Sequence, residues 1–149
     1  MQRYGFFRGL LWVIGAYHIV VGLLFNAPQP WLVWVGQHVV GYTRMPDAGV
    51  FYLARPFGIY LALFGVAMCA AAWNPVKNRT LITLGVVLFA ARALQRLATL
   101  SQTEELFGIT AGRNWSLLGL VACFGVLLAV FRLKLLADMK TAVPNGRPE

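Results

Sequence analysis

Four stretches of this chain stay apolar for about twenty residues each, enough for a helix rising 1.5 Å per residue to cross roughly 30 Å of hydrocarbon. They run from Tyr4 to Phe25, Phe51 to Trp73, Thr80 to Leu100 and Asn114 to Leu136. The third is the weakest, because its uncharged part stops at Ala91 and Arg92, Gln95 and Arg96 follow; a re-entrant segment competes there with a full crossing. Only the turn Trp73-Asn-Pro-Val-Lys-Asn-Arg79 separates the second window from the third, so these two are predicted to be antiparallel neighbours. The first loop, Asn26 to Val50, is long and carries Trp31, Trp34, Gln37, His38, Tyr42, Arg44 and Asp47; it is predicted to lie along the outer surface as an amphipathic cap. Trp31, Trp34, Trp73 and Trp115 all fall near window ends, where an indole ring prefers the membrane–water interface. The predicted fold is therefore all-α: an integral membrane four-helix bundle over residues 1–140. The segment 141–149, rich in Pro and Gly, is predicted to be a disordered tail.

Small residues mark helix faces within these windows. Gly58, Ala62, Gly65, Cys69 and Ala72 recur at alternating spacings of four and three on the second, with Arg55 leading the same stripe. On the first, Gly15, His18 and Gly22 do the same, with Arg8 below them. Apolar helices in lipid associate through close backbone approach, so Gly15, Gly22, Gly58, Ala62 and Gly65 are the predicted packing positions. The segments Gly15-Ala-Tyr-x4-Gly22 and Gly58-Ile-Tyr-x4-Gly65 also resemble each other.

Composition supports the membrane reading: of 149 residues, 59% are hydrophobic and 12% charged, far from a soluble domain of this size. A net charge of +8 would ordinarily raise nucleic-acid binding, but here topology accounts for it. Arg3, Arg8, Lys77, Arg79, Arg132, Lys134, Lys140 and Arg147 flank the N-terminus, the second loop and the C-terminus, which predicts both termini on the cytoplasmic side. The cations are scattered over short flanks rather than gathered into a basic domain, so no nucleic-acid partner is expected. The basic start followed by Leu10 to Phe25 superficially matches a signal peptide, but no small-x-small site follows, and a retained first helix is expected. Cys69 and Cys123 sit in apolar runs at different depths, and neither a disulfide nor a metal site is expected.

Arg92 and Arg96 run against this asymmetry. They are one helical turn apart, inside the third window and toward its outer end, and a charge in a spanning helix costs several kcal/mol unless it meets a partner, a cavity or a function. Counting depth along each helix brings Arg55 close to the level of Arg96, and His18 close to that of Arg92. Gln95 and Tyr60, with Asn114, Trp115 and Ser116, are placed to edge the same mouth. No Asp or Glu lies in any window; Asp47, Glu104 and Glu105 are in outer loops and could fold back onto the arginines. Arg55, Arg92, Arg96, Gln95, His18 and Tyr60 are thus the candidate ligand-binding residues. Planar forked donors suit a carboxylate, a phosphate or a lipid headgroup. Snorkelling of Arg55 and Arg96 to the boundary, and structural pairing of Arg92, are the competing readings.

No catalytic residues emerge: the chain lacks HExxH, GxSxG and any usable metal-ligand spacing. One intramembrane histidine gives neither an axial pair for haem nor a proton relay for self-sufficient transport. The motifs Arg55-Pro-Phe-Gly58, Ala-Ala-Trp-Asn-Pro75-x-Lys-Asn-Arg79, and Arg92 with Arg96 resemble those of the small bacterial membrane proteins grouped as DoxX-like and BphX-like. That resemblance implies a bacterial inner-membrane bundle with an accessory role, some members being associated with respiratory or oxidative complexes. It carries no catalytic residue across. The expected function is a non-enzymatic accessory or binding subunit with an outward-facing basic pocket for an anionic or lipid-like ligand, needing no cofactor. Two alternatives stand beside it. One is a quinone-binding subunit of a membrane redox enzyme, with His18, Tyr60 and the arginines holding the carbonyls. The other is a structural protein that self-oligomerises through its glycine seams.

Overall fold

The computed structural model describes residues 4–44 and 47–142. Among them there is no strand; the chain forms α1 (Gly5–Leu24), α2 (Gln29–Val35), a π-helical turn (Gly36–Val40), α3 (Ala48–Trp73), α4 (Arg79–Ala98), α5 (Leu100–Phe107) and α6 (Ala111–Ala142). Four of these, α1, α3, α4 and α6, are long and apolar enough to cross a membrane, which is compatible with a multi-pass membrane protein.

The third window forms one unbroken helix: α4 runs straight through Arg92 and Arg96 and ends at Thr99, whose backbone N–H caps the Gln95 and Arg96 carbonyls. No break of the kind a re-entrant segment needs interrupts it. Asp47 starts α3 three residues earlier than expected, its carboxylate accepting a hydrogen bond from the Val50 N–H at 3.0 Å. This is the ordinary action of an N-cap aspartate on an otherwise orphaned donor. Arg55-Pro56 accordingly sits inside α3 rather than opening it. α6 extends beyond both predicted ends and carries the helix through Thr141 and Ala142. The start of the predicted tail is therefore helical; 143–149, with Arg147, and Arg3 at the other terminus lie outside the described residues.

The bundle is built of two hairpins. α1 packs along α3, and α4 along α6, more extensively than any other pair, whereas α3 and α4 touch sparingly despite their short connection. The first pair is held by the predicted small-residue stripe. A Cβ on Gly15 would lie 2.8 Å from the Gly65 carbonyl oxygen, and one on Gly65 would lie 2.6 Å from that of Gly15. Gly22 and Gly58 oppose each other in the same reciprocal way, at 2.5 and 2.6 Å. The repeated Gly-x-Tyr-x4-Gly motif thus makes a locally two-fold seam, with each glycine meeting the distal glycine of the other copy. It lies within one chain, so these positions serve intramolecular packing.

At the end that holds both termini, polar side chains tie the helices together. Arg8 donates to the Ala72 carbonyl at the C-terminus of α3 at 2.9 Å, and the Tyr4 hydroxyl donates to Asp138 at 2.7 Å. Between them the core is apolar, with Leu11, Ile14, Met68, Ile82, Leu128, Phe131 and Leu135 fully buried and Phe7 stacked on Phe131 at 4.4 Å.

At the opposite end the two long connections are clasped. The N–H groups of Thr43 and Arg44 both donate to the Phe107 carbonyl, at 3.1 and 3.2 Å, and Tyr42 stacks on Phe107 at 5.1 Å. Gly41 and Gly108 take the left-handed conformation that these turns require, at φ of 89° and 65°. Within the first loop α2 buries none of its residues, and Trp31 and Trp34 stand exposed.

Candidate functional site

His18 lies in the middle of α1, 3% exposed, between the rings of Phe64 and Phe89 at 4.9 and 5.8 Å. Its Nδ1 is 2.7 Å from the Ile14 carbonyl, which can only accept, so Nδ1 carries the proton. Nε2 then offers a lone pair, and a guanidinium nitrogen of Arg92 donates to it at 3.1 Å. The geometry fixes a neutral imidazole with both ring nitrogens engaged. Arg92 is held by an uncharged acceptor, and its positive charge has no counterion among the described residues: the Glu104 and Glu105 carboxylates do not reach it.

The rest of the Arg92 fork faces a groove of about 610 Å³ between α3 and α4. Phe25, Phe57, Tyr60, Leu61 and Phe64 form one wall; Leu84, Leu88, Arg92 and Gln95 form the other. Four of the six candidate residues therefore meet here: Arg92, Gln95 and Tyr60 at the groove itself, and His18 behind Arg92. No carboxylate lines it among the described residues.

Arg55 and Arg96 are not part of this lining. Arg55 is exposed, and its backbone carbonyl accepts from the Asn26 side chain at 3.4 Å. Arg96 lies one turn further along the same stripe of α4, but its side chain turns toward α6. It donates to the Asn114 side-chain oxygen at 2.8 Å, while its Nε is buried without a partner. Asn114 is 1% exposed and donates in turn to the Ile109 carbonyl at 3.5 Å. Its place among the candidate edges is thus beside Arg96 rather than in the groove. Trp115 and Ser116 point outward, and the Ser116 hydroxyl bonds to its own helix at the Gly112 carbonyl, 2.9 Å away.

Sequence reasoning passed over Tyr42 and the apolar wall. Tyr42 is half-buried under the clasp, where burial pushes its phenol above 10 and the nearby Arg96 charge partly offsets this. Leu84, Leu88 and Arg92 recur every four residues along α4, and that single stripe was the available signal for the groove. No three His, Cys, Asp or Glu side chains cluster to hold a metal among the described residues.

The chain matches no protein-family model, no curated protein and no solved structure.

Proposed function

We propose that this chain is a multi-pass protein of the bacterial inner membrane, with both termini cytoplasmic, serving as a non-enzymatic binding or accessory subunit. Its pocket at Arg92 takes an anionic, lipid-like ligand. The observation that carries the reading is the guanidinium of Arg92: it lines an apolar groove and is held there by neutral His18, with no carboxylate among the described residues to balance it. A half-buried cation held by a neutral acceptor remains attractive to an anion, because apolar walls reduce the screening of the interaction. The motif resemblance to the DoxX-like and BphX-like groups supports an accessory role beside a membrane oxidoreductase.

Orientation draws its support from charge. Arg8, Lys77, Arg79, Arg132, Lys134 and Lys140 all belong to the end that holds the termini and the α3–α4 turn, and such cations are retained in the cytoplasm. The quinone alternative loses part of its proposed donor set, since both nitrogens of His18 are already engaged.

Thermal shift of the detergent-purified full chain tests the pocket, with laurate, dodecyl phosphate and uncharged dodecanol as probes. At least one of the two anions raises the melting temperature of the wild type and not of Arg92→Gln, while dodecanol does neither. Equal stabilisation by dodecanol, or an unchanged anion response in Arg92→Gln, overturns the reading. A C-terminal reporter fusion, fluorescent protein against alkaline phosphatase, checks the orientation.

A further inference from the structure

Resting on the pocket reading above, we propose that the ligand is a single-chain carboxylate, a fatty-acid-like amphiphile taken from the bilayer sideways through the gap between α3 and α4. Its carboxylate lies on Arg92 and its chain runs toward Leu84.

The walls of the groove set the orientation. Along α4 the lining passes from Leu84 through Leu88 to Arg92 and Gln95, so apolar and polar ends are separated by about 12 Å at 1.5 Å per residue. α3 runs antiparallel and lines the Arg92 half of the groove, Tyr60 being its polar-edged residue and Phe57 and Phe25 lying beyond it. Phe64 lies near Phe89, with centroids 6.3 Å apart, and Tyr60 lies one turn closer to the polar end. A molecule matching both ends is an amphiphile with one compact polar head.

The opening sets the route. Leu84 and Tyr60 are 53% and 67% exposed although both line the groove, so it is open along the flank of the bundle. That flank faces hydrocarbon when the four helices span. α3 and α4 contact each other sparingly, which leaves the gap between them free for a chain to slide in from the side.

Charge and shape set the head. Arg92 is the one cation lining the groove among the described residues, and no acid accompanies it. A single negative charge balances it, whereas a phosphomonoester carries about −1.5 to −2 and would bring uncompensated charge into a low-dielectric site. One guanidinium donor is taken by His18; the remaining edge, with the Gln95 amide beside it, presents the planar donors that a carboxylate accepts. A volume of about 610 Å³ suits one small molecule, within the roughly 300–1,000 Å³ of such sites.

Native mass spectrometry of the full chain released from nanodiscs, titrated with laurate, dodecyl phosphate, methyl laurate and butyrate, tests this. Laurate binds at one copy per chain and tighter than the other three. Arg92→Gln weakens laurate at least tenfold. Leu84→Trp, a flank substitution outside the helix core, fills the apolar end and weakens it severalfold with the fold intact. If Arg92→Gln does not fold, Arg92→Lys serves in its place: it keeps the charge but not the fork, and weakens laurate less than Leu84→Trp combined with it. Tighter binding of dodecyl phosphate than laurate overturns the carboxylate assignment and leaves the anionic pocket standing. Butyrate equal to laurate, or an unaffected Leu84→Trp, overturns the chain placement. Methyl laurate equal to laurate, with Arg92→Gln unaffected, takes down the pocket and this proposal together.

Discussion

Replacing Gly22 by Ala adds one methyl group to α1, and the two-fold seam leaves it no room. The new Cβ would sit 2.5 Å from the Gly58 carbonyl oxygen, 2.6 Å from the Ala62 nitrogen and 2.9 Å from the Ala62 Cβ. Two of those three neighbours are backbone atoms, which cannot rotate away, so α1 and α3 must separate along their length. Overpacking of this kind costs about 1–3 kcal/mol, against which Ala recovers about 1 kcal/mol of helix propensity, for a net loss of up to about 2 kcal/mol. Gly119, on the open face of α6, supplies the control: a Cβ there meets nothing within 4 Å, so Gly119→Ala keeps the propensity gain and stabilises. Reversible unfolding of both variants in the same mixed micelle gives the comparison. Combining Gly22→Ala with Gly58→Ala should cost less than the sum of the two, because one separation relieves both contacts. Two single substitutions changing stability in the same direction by similar amounts would refute the seam as the source of α1–α3 packing.

Asn114→Leu removes the acceptor for Arg96, whose Nε already lacks a partner, and should destabilise by about 1–3 kcal/mol; adding Arg96→Met recovers most of that loss in the same unfolding assay. Tyr42 keeps its proton in the folded chain above the pH at which the unfolded chain loses it, so stability from this group is intact at neutral pH and falls as pH rises past 10. Melting curves between about pH 9 and 11 should show that fall in the wild type and a shallower one in Tyr42→Phe.

The helices were legible because hydropathy and length carry most of the information in such a chain, and the small-residue stripes marked the packing faces of α1 and α3 without saying that these two faces meet each other. Ends were harder. Asp47 capped α3 ahead of its apolar run, and α6 continued past Leu136 into residues that are polar yet still helical, so hydropathy stopped where the hydrogen-bond ladder did not. The arginine cluster divided for a geometric reason that depth counting does not include. Arg92 and Arg96 share one face of α4, but their long side chains bend to different partners, His18 on α1 and Asn114 on α6, and neither depth nor spacing says which. Asn114 was visible as a polar edge residue. Its service to Arg96 required knowing that α4 and α6 are paired.

The two arginines also differ in when their partners become available. Asn114 belongs to the same α4–α6 hairpin as Arg96, so that charge can be received by its own hairpin as soon as the hairpin closes. His18 belongs to the other hairpin, and Arg92 reaches it only when the two halves dock. The contact that shapes the groove is therefore also one that joins the two hairpins, so a change at His18 or Arg92 bears on how the halves are held together as well as on the site.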